Sequence, residues 1–289
     1  MLAIYKKELK TYFTSMMGCF FIALCLAVTS FYFCIVNLMY AYPTLYSSIS
    51  QIIFIFIILI PVLTMRALSE EQRNKTDQLL YTSPVSVYGI VAGKYLAMLT
   101  VFAVPVLIMC FYPLIMAQYG TVHMPSAYLA ILAYFLIGAA YMAVGLFISS
   151  ITENQIIAAV VSFAVLLASY MLMDIIAGIV PSTAIASFIG FLIVIAIVCV
   201  IYYLLTRNVI VSAGAFILLA AVELVLYLVK PGIFEGAIIV LLSNLNLAMP
   251  ASNLMVYGIL DITSLVYYVT VILFFMFITV QSIQKKRWN

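Results

Sequence analysis

Apolar residues run through this chain in blocks long enough to cross a bilayer, and short polar or proline-bearing stretches separate them. Read against Pro, Gly and polar punctuation, the blocks predict eight helices near 17–38, 47–65, 91–116, 127–150, 155–177, 184–205, 209–229 and 263–283. The breaks fall at Pro43 within a tyrosine cluster, at Pro125 beside His123, at Pro181, and at Arg207 and Asn208. The chain carries no charge in the 55 residues between Lys10 and Arg66 or in the 58 between Lys94 and Glu153. Since one crossing takes about 20 residues, each of these stretches holds two.

Three segments depart from this pattern. Residues 1–14 read as an amphipathic helix, with Leu2, Tyr5, Leu9, Tyr12 and Phe13 on one face and Lys6, Lys7 and Lys10 opposite. Such a helix lies in the cytoplasmic leaflet with its basic face toward anionic headgroups. A plain basic topology anchor accounts for it equally. Residues 66–94 hold seven charges in 29 positions, the density of a soluble surface. There Ser69 and Gln72 have capping-box spacing, and Glu70 and Glu71 occupy a first turn that favours anions. A short polar helix is therefore expected from about Glu70, with Arg73, Lys75, Thr76 and Asp77 following, Ser83 and Pro84 ending it, and Ser86 capping the third span. The third segment, 230–262, is apolar but broken by Pro231, Gly232, Asn244, Asn246, Pro250 and Asn253. It reads as an extracellular re-entrant or interfacial piece with a helix over 238–247; a ninth span is the rival.

Composition sets the class. The chain is 68% apolar and 7% charged, with a mean hydropathy of +1.30, against about 25% charged residues in an average soluble chain. This excludes a soluble enzyme, a nucleic-acid-binding module, a disordered chain and a disulfide-framed domain. The expected fold is an all-α polytopic membrane protein of about eight transmembrane helices, one transmembrane domain over 1–289. With both termini cytoplasmic, eleven of the twelve basic residues face inward and Lys230 alone faces outward. The first apolar run is too long for a signal-peptide core and is expected to stay in the membrane. Cys19, Cys25, Cys34, Cys110 and Cys199 fall within spans and read as packing residues, and the lone His123 gives no metal site.

The loop holds two false leads. Leu68 to Gln72 superficially looks like an ATP-binding-cassette signature, but two carboxylates would repel phosphate where that motif has glycine amides. Gly89 to Lys94 has the wrong spacing for a phosphate-binding loop and no following Ser or Thr to hold magnesium. No nucleotide site is expected.

The run from Arg66 to Leu80, then Thr82 to Ser86 and Gly93 to Ala97, resembles the inner loop of ABC-type-2 permeases, the membrane subunits of bacterial ABC exporters. The nearest likeness is to the gliding-motility-type, GldF-like permeases. Ser149 to Ala159, Gly258 to Asp261, Leu265 to Tyr268 and the closing 285–288 match the same group. The resemblance implies a six-span core plus an extra helix pair at 184–229, and a coupling helix at about 69–82 within a coupling loop over 66–90. It implies ATPase contact through Arg66, Ser69, Glu70, Glu71, Gln72, Arg73, Lys75, Thr76 and Asp77. It also implies two cytoplasmic ABC ATPase subunits that bind ATP and magnesium, and a second permease chain, identical or related. An extracytoplasmic accessory protein and membrane lipid complete the partners; nucleic acid is not among them.

Thr152, Glu153, Asn154 and Gln155 open the fifth span, either as a helix cap centred on Thr152 or as part of an inner vestibule. Glu223 is an acid well inside a span, and either a substrate contact or a structural carboxyl explains it. Asp174 falls at the outer interface. Gly138, Ala139, Ala143, Gly145 and Ser149 suit close packing of the fourth span. The rivals are a secondary transporter or another polytopic protein working without an ATPase, but the chain shows one intramembrane acid and no repeat.

Overall fold

The computed structural model describes residues 1–76, 86–179, 181, 183–206 and 209–288. Asp77 and the rest of 77–85, Arg207, Asn208 and the side chain of Asp174 lie outside the described residues. Every regular element among those described is helical. The first four are α1 (Leu2–Thr14), α2 (Met16–Tyr32, continuing as a π-helical stretch over Phe33–Met39), α3 (Tyr46–Thr64) and α4 (Ser69–Arg73). Next come α5 (Val87–Met109), α6 (Tyr112–Tyr119), α7 (Met124–Ile151) and α8 (Gln155–Ile179). The last four are α9 (Ala184–Thr206), α10 (Val209–Val229), α11 (Ala237–Leu245) and α12 (Ile262–Trp288).

All eight expected apolar helices are present, with ends moved by a few residues. Among the described residues six are long and apolar enough to cross a membrane: Met16–Met39, Tyr46–Arg73, Val87–Tyr119, Met124–Ile151, Val211–Val229 and Ile262–Lys286. The apolar stretches Gln155–Met171 and Ala184–Val200 are shorter. α5 begins at Val87, four residues ahead of the apolar block, where the expected Ser86 cap forms: its hydroxyl accepts the Gly89 N–H at 3.2 Å. The third helix breaks at Cys110 and Phe111, and Pro113 opens α6, where its missing N–H costs no bond.

The chain divides into two compact units, residues 1–168 with 247–289, and residues 169–246. In the first, α7 is the buried axis, packed on α3, α5 and α12. Its small residues let the neighbours in, as their spacing predicts. A Cβ on Gly138 would lie 2.5 Å from the Phe102 ring, and one on Gly145 would collide with the Thr64 hydroxyl. Phe56, Phe102 and Tyr134 fill the centre with ring centroids 4.3–5.8 Å apart. In lipid such packing, rather than escape from water, holds helices together.

α1 lies against α5 and α2. A sharp turn at Ser15 allows this: its hydroxyl accepts the Gly18 N–H, and any Cβ at Gly18 would strike the Tyr12 carbonyl. Ile4 and Tyr12 are buried with the half-buried Glu8 between them, so the packed stripe shares only Tyr12 with the apolar face expected to meet lipid. Leu2 and Phe13 are 66% and 44% exposed. The reason is Gly93, whose absent side chain lets Ile4 settle on α5 (a Cβ there would be 3.3 Å from Ile4 Cγ2) and brings Glu8 down with it.

In the second unit α9 and α10 pack side by side, joined by a Ser212 hydroxyl donating to the Cys199 carbonyl at 2.8 Å. Phe188, Phe191, Tyr227 and Phe234 form an aromatic cluster. α11 covers 237–245 of the expected 238–247 helix, and its nine residues span about 14 Å.

Candidate functional site

The charged loop folds onto the end of α7. The Ser149 hydroxyl, fully buried, accepts the amides of Leu68 at 3.2 Å and Ser69 at 3.1 Å and donates to the Met65 carbonyl at 3.2 Å. One hydroxyl thereby uses all of its hydrogen-bonding capacity on the start of α4. The expected capping box does not form. Ser69 bonds back to the Met65 carbonyl and Gln72 turns elsewhere, because a serine from another helix already holds the free amides. α4 ends at Arg73 and Lys75 follows with φ +55°, while 77–82 of the expected 69–82 helix lie outside the described residues.

Beneath α4 sits Lys94, near the start of α5 and 2% exposed. Its ammonium lies 3.0 Å from Glu8 Oε1, 2.9 Å from Glu71 Oε1 and 2.8 Å from the Ala67 carbonyl. The ammonium thus donates to Glu8 on α1 and to the Ala67 carbonyl of the loop, and forms an ion pair with Glu71 on α4. A buried cation is retained only when so surrounded. Lys7 approaches the same two carboxylates at 3.7–3.8 Å, but its side chain is 62% exposed and adds little. A cavity of about 250 Å³ opens here, lined among others by Lys7, Thr11, Ser15, Arg66 and Asn74. Tyr12 also lines it; burial first, and then the carboxylates of Glu8, Glu70 and Glu71, push its hydroxyl above the usual tyrosine range.

A second lysine holds the other side of α4. Lys286, near the end of α12, donates to Gln72 Oε1 at 2.9 Å and to the carbonyls of Ser150 at 2.9 Å and Ile151 at 3.3 Å. Gln72, 8% exposed, also donates to the Ser150 carbonyl at 3.0 Å. The cation therefore satisfies carbonyls left open at the end of α7, where a positive charge is favoured.

The remaining expected residues divide cleanly. Arg66 stands 3.6 Å from Glu70 and donates to Gln155 Oε1 at 3.4 Å, so the loop and the start of α8 do meet. Arg73, Asn74, Lys75 and Thr76 are exposed at the tip. Glu71 and Gln72 face inward. At the start of α8 the cap is Asn154, whose Oδ1 accepts the Ile156 N–H at 2.9 Å, while Thr152 instead closes α7; Glu153 is exposed. Glu223, on α10 in the other unit, is 6% exposed, and neither carboxylate oxygen has a hydrogen bond among the described residues.

Sequence reasoning did not anticipate Glu8, Lys94 or Lys286 as site residues, and took Ser149 for a packing residue. A signal existed for one pair. Glu8 is the sole acid of α1 and falls on the Ile4–Tyr12 stripe at i, i+4 spacing, which implies a buried cationic partner.

The family model for ABC-2 family transporter protein matches residues 2–189, nearly two-thirds of the chain, from α1 into α9. Comparison with curated proteins and with solved structures gave no match. Proteins of this family are membrane components of ABC transporters, are not themselves catalytic, and generally work with ATPase subunits. With its membrane-spanning helices and this match over most of its length, the chain belongs to the ABC-2 family of transporter proteins as a multi-pass membrane permease.

Proposed function

We propose that this chain is the permease subunit of an ATP-driven exporter, forming the substrate pathway in a bacterial cytoplasmic membrane and taking force from separate ATPases through α4. The observation that carries this reading is the division of α4. Its last residue and the turn after it, Arg73 to Thr76, are exposed, while Glu71 and Gln72 are tied to α1, α5, α7 and α12 by Lys94 and Lys286. A push on the tip reaches several helices at once, because the short helix cannot shift without them.

In this reading eight helices span the membrane, both termini are cytoplasmic, and two permease chains, alike or related, stand on two ATPases that bind ATP and magnesium. Residues 1–289 act as one permease domain, with GldF-like proteins as the nearest subfamily and α9 and α10 as an addition to a six-span core. An extracytoplasmic accessory protein fits the same architecture. Thr152 to Gln155 border the inner vestibule, and Glu223 is a candidate polar point on the pathway. The rival, a transporter working without an ATPase, gives α4 no work to do. The test is co-purification with a cytoplasmic ATPase whose turnover the chain alters. An Arg73→Glu, Lys75→Glu double variant that folds normally should lose that association, and undiminished association would overturn the assignment of α4.

A further inference from the structure

The described charges of the loop sort by sign. Glu71 closes on Lys94, and Glu70 stands 3.6 Å from Arg66. Arg73 and Lys75 have no such partner: both are exposed, and among the described residues neither side chain enters an ion pair or a hydrogen bond. Asp77 lies outside the described residues. The turn that carries the two cations is well bonded. The Thr76 N–H donates to the Glu71 carbonyl at 3.0 Å and the Lys75 N–H to the Gln72 carbonyl at 3.2 Å, the two bonds of a Schellman turn. Its left-handed position favours glycine, yet Lys75 occupies it with φ +55°. A cation is thus fixed just past the helix end, close in sequence to Arg73. The exposed residues there, Arg73, Asn74, Lys75 and Thr76, include no apolar side chain.

We propose that α4 docks through this cationic turn, and that the ATPase surface receiving it carries carboxylates placed to meet Arg73 and Lys75. The docking chemistry rests on α4 being the element that faces the ATPase. Charge complementarity selects the receiving surface, because the described acids of the loop already have cations within the chain and its unpaired charges are both positive. An acidic protein surface fits better than anionic lipid, since a turn without apolar side chains has nothing to insert among acyl chains.

The test uses the complex of the full chain with the ATPase that co-purifies with it, in a neutral detergent free of anionic lipid. A carbodiimide, which joins an amine to a carboxylate in direct contact, should link Lys75 to an Asp or Glu of the ATPase in the wild type, a readout that needs no variant to fold. Affinity should fall by up to about fivefold for each charge removed in Arg73→Gln and Lys75→Gln. Raising salt so that the screening length drops from about 10 Å to about 3 Å should weaken the wild type more than the double Gln variant. Lys75→Gly, which suits the left-handed turn, should be at least as stable as the wild type and still bind less tightly. Arg73→Lys with Lys75→Arg should bind as the wild type does. Absence of a Lys75 crosslink, equal salt sensitivity of the wild type and the double Gln variant, or an equal loss in the charge-conserving variant would each overturn the acidic receiving surface while leaving α4 as the docking element. A charge effect seen only when anionic lipid is added would assign the cations to the membrane and overturn it too. Absence of any associated ATPase, or undiminished association in Arg73→Glu with Lys75→Glu, would instead refute the wider reading of α4 and this chemistry with it.

Discussion

Lys286 donates to Gln72 Oε1 at 2.9 Å across 214 positions of sequence, joining the end of the last helix to the short helix of the charged loop. With Lys94 paired to Glu71, α4 is held by two cations, one from α5 and one from α12. Replacing Lys286 with Gln should loosen α4 without unfolding the bundle. Amide hydrogen exchange at Gln72 and Arg73 should accelerate while exchange in the middle of α7 stays slow, and Lys286→Arg should restore much of the protection.

Lys94 should be far less tolerant. Lys94→Met strands Glu8 and Glu71 beside each other, and removing one partner of a buried ion pair costs about 3–5 kcal/mol. Thermal unfolding in detergent should show a large loss of stability. The triple variant Lys94→Met, Glu8→Gln, Glu71→Gln should recover part of it, because no uncompensated charge remains.

Charge reversal on α4 should separate by face. Arg73→Glu, at the exposed tip, should leave thermal stability near that of the wild type and weaken ATPase association. Glu71→Lys should lower stability as well, since it sets a second cation where Lys94 now finds a carboxylate at 2.9 Å. Equal stability of the two variants would contradict the inward placement of Glu71.

Ser149→Ala removes the oxygen shared by the Leu68 and Ser69 amides. Buried groups left without partners cost about 1–3 kcal/mol. Stability should fall by that order, with exchange at Leu68 and Ser69 rising first.

Glu223→Leu should raise thermal stability, because an apolar side chain replaces a buried carboxyl that makes no hydrogen bond among the described residues. Loss of transport in that stabilised variant would mark Glu223 as part of the pathway. Unchanged transport would leave it a structural residue.

Much of the fold was legible because a membrane-crossing helix is a local object. Its backbone bonds close within the segment, so about 20 apolar residues announce it wherever they occur. The Ser86 cap of α5 was readable for the same reason. Donor and acceptor lie three residues apart. The capping box of α4 was equally local in form and yet absent, because Ser149, 80 positions away, took the amides first.

The site was legible as a place but not as an arrangement. Charge density marked residues 66–77, and the exposed tip of α4 stands there. Which charges face outward depends on α1, whose close packing on α5 and sharp turn into α2 are permitted by Gly93 and Gly18. By itself, then, the sequence determined the class of protein, its helices and the loop that leaves the membrane, since these follow from transfer free energies and local hydrogen bonding. Only the tertiary structure decided that Lys94 and Lys286, read as topology charges, would hold the loop helix. A buried cation is stable only where packed helices bring acceptors to it, and those acceptors come from segments that no local pattern connects.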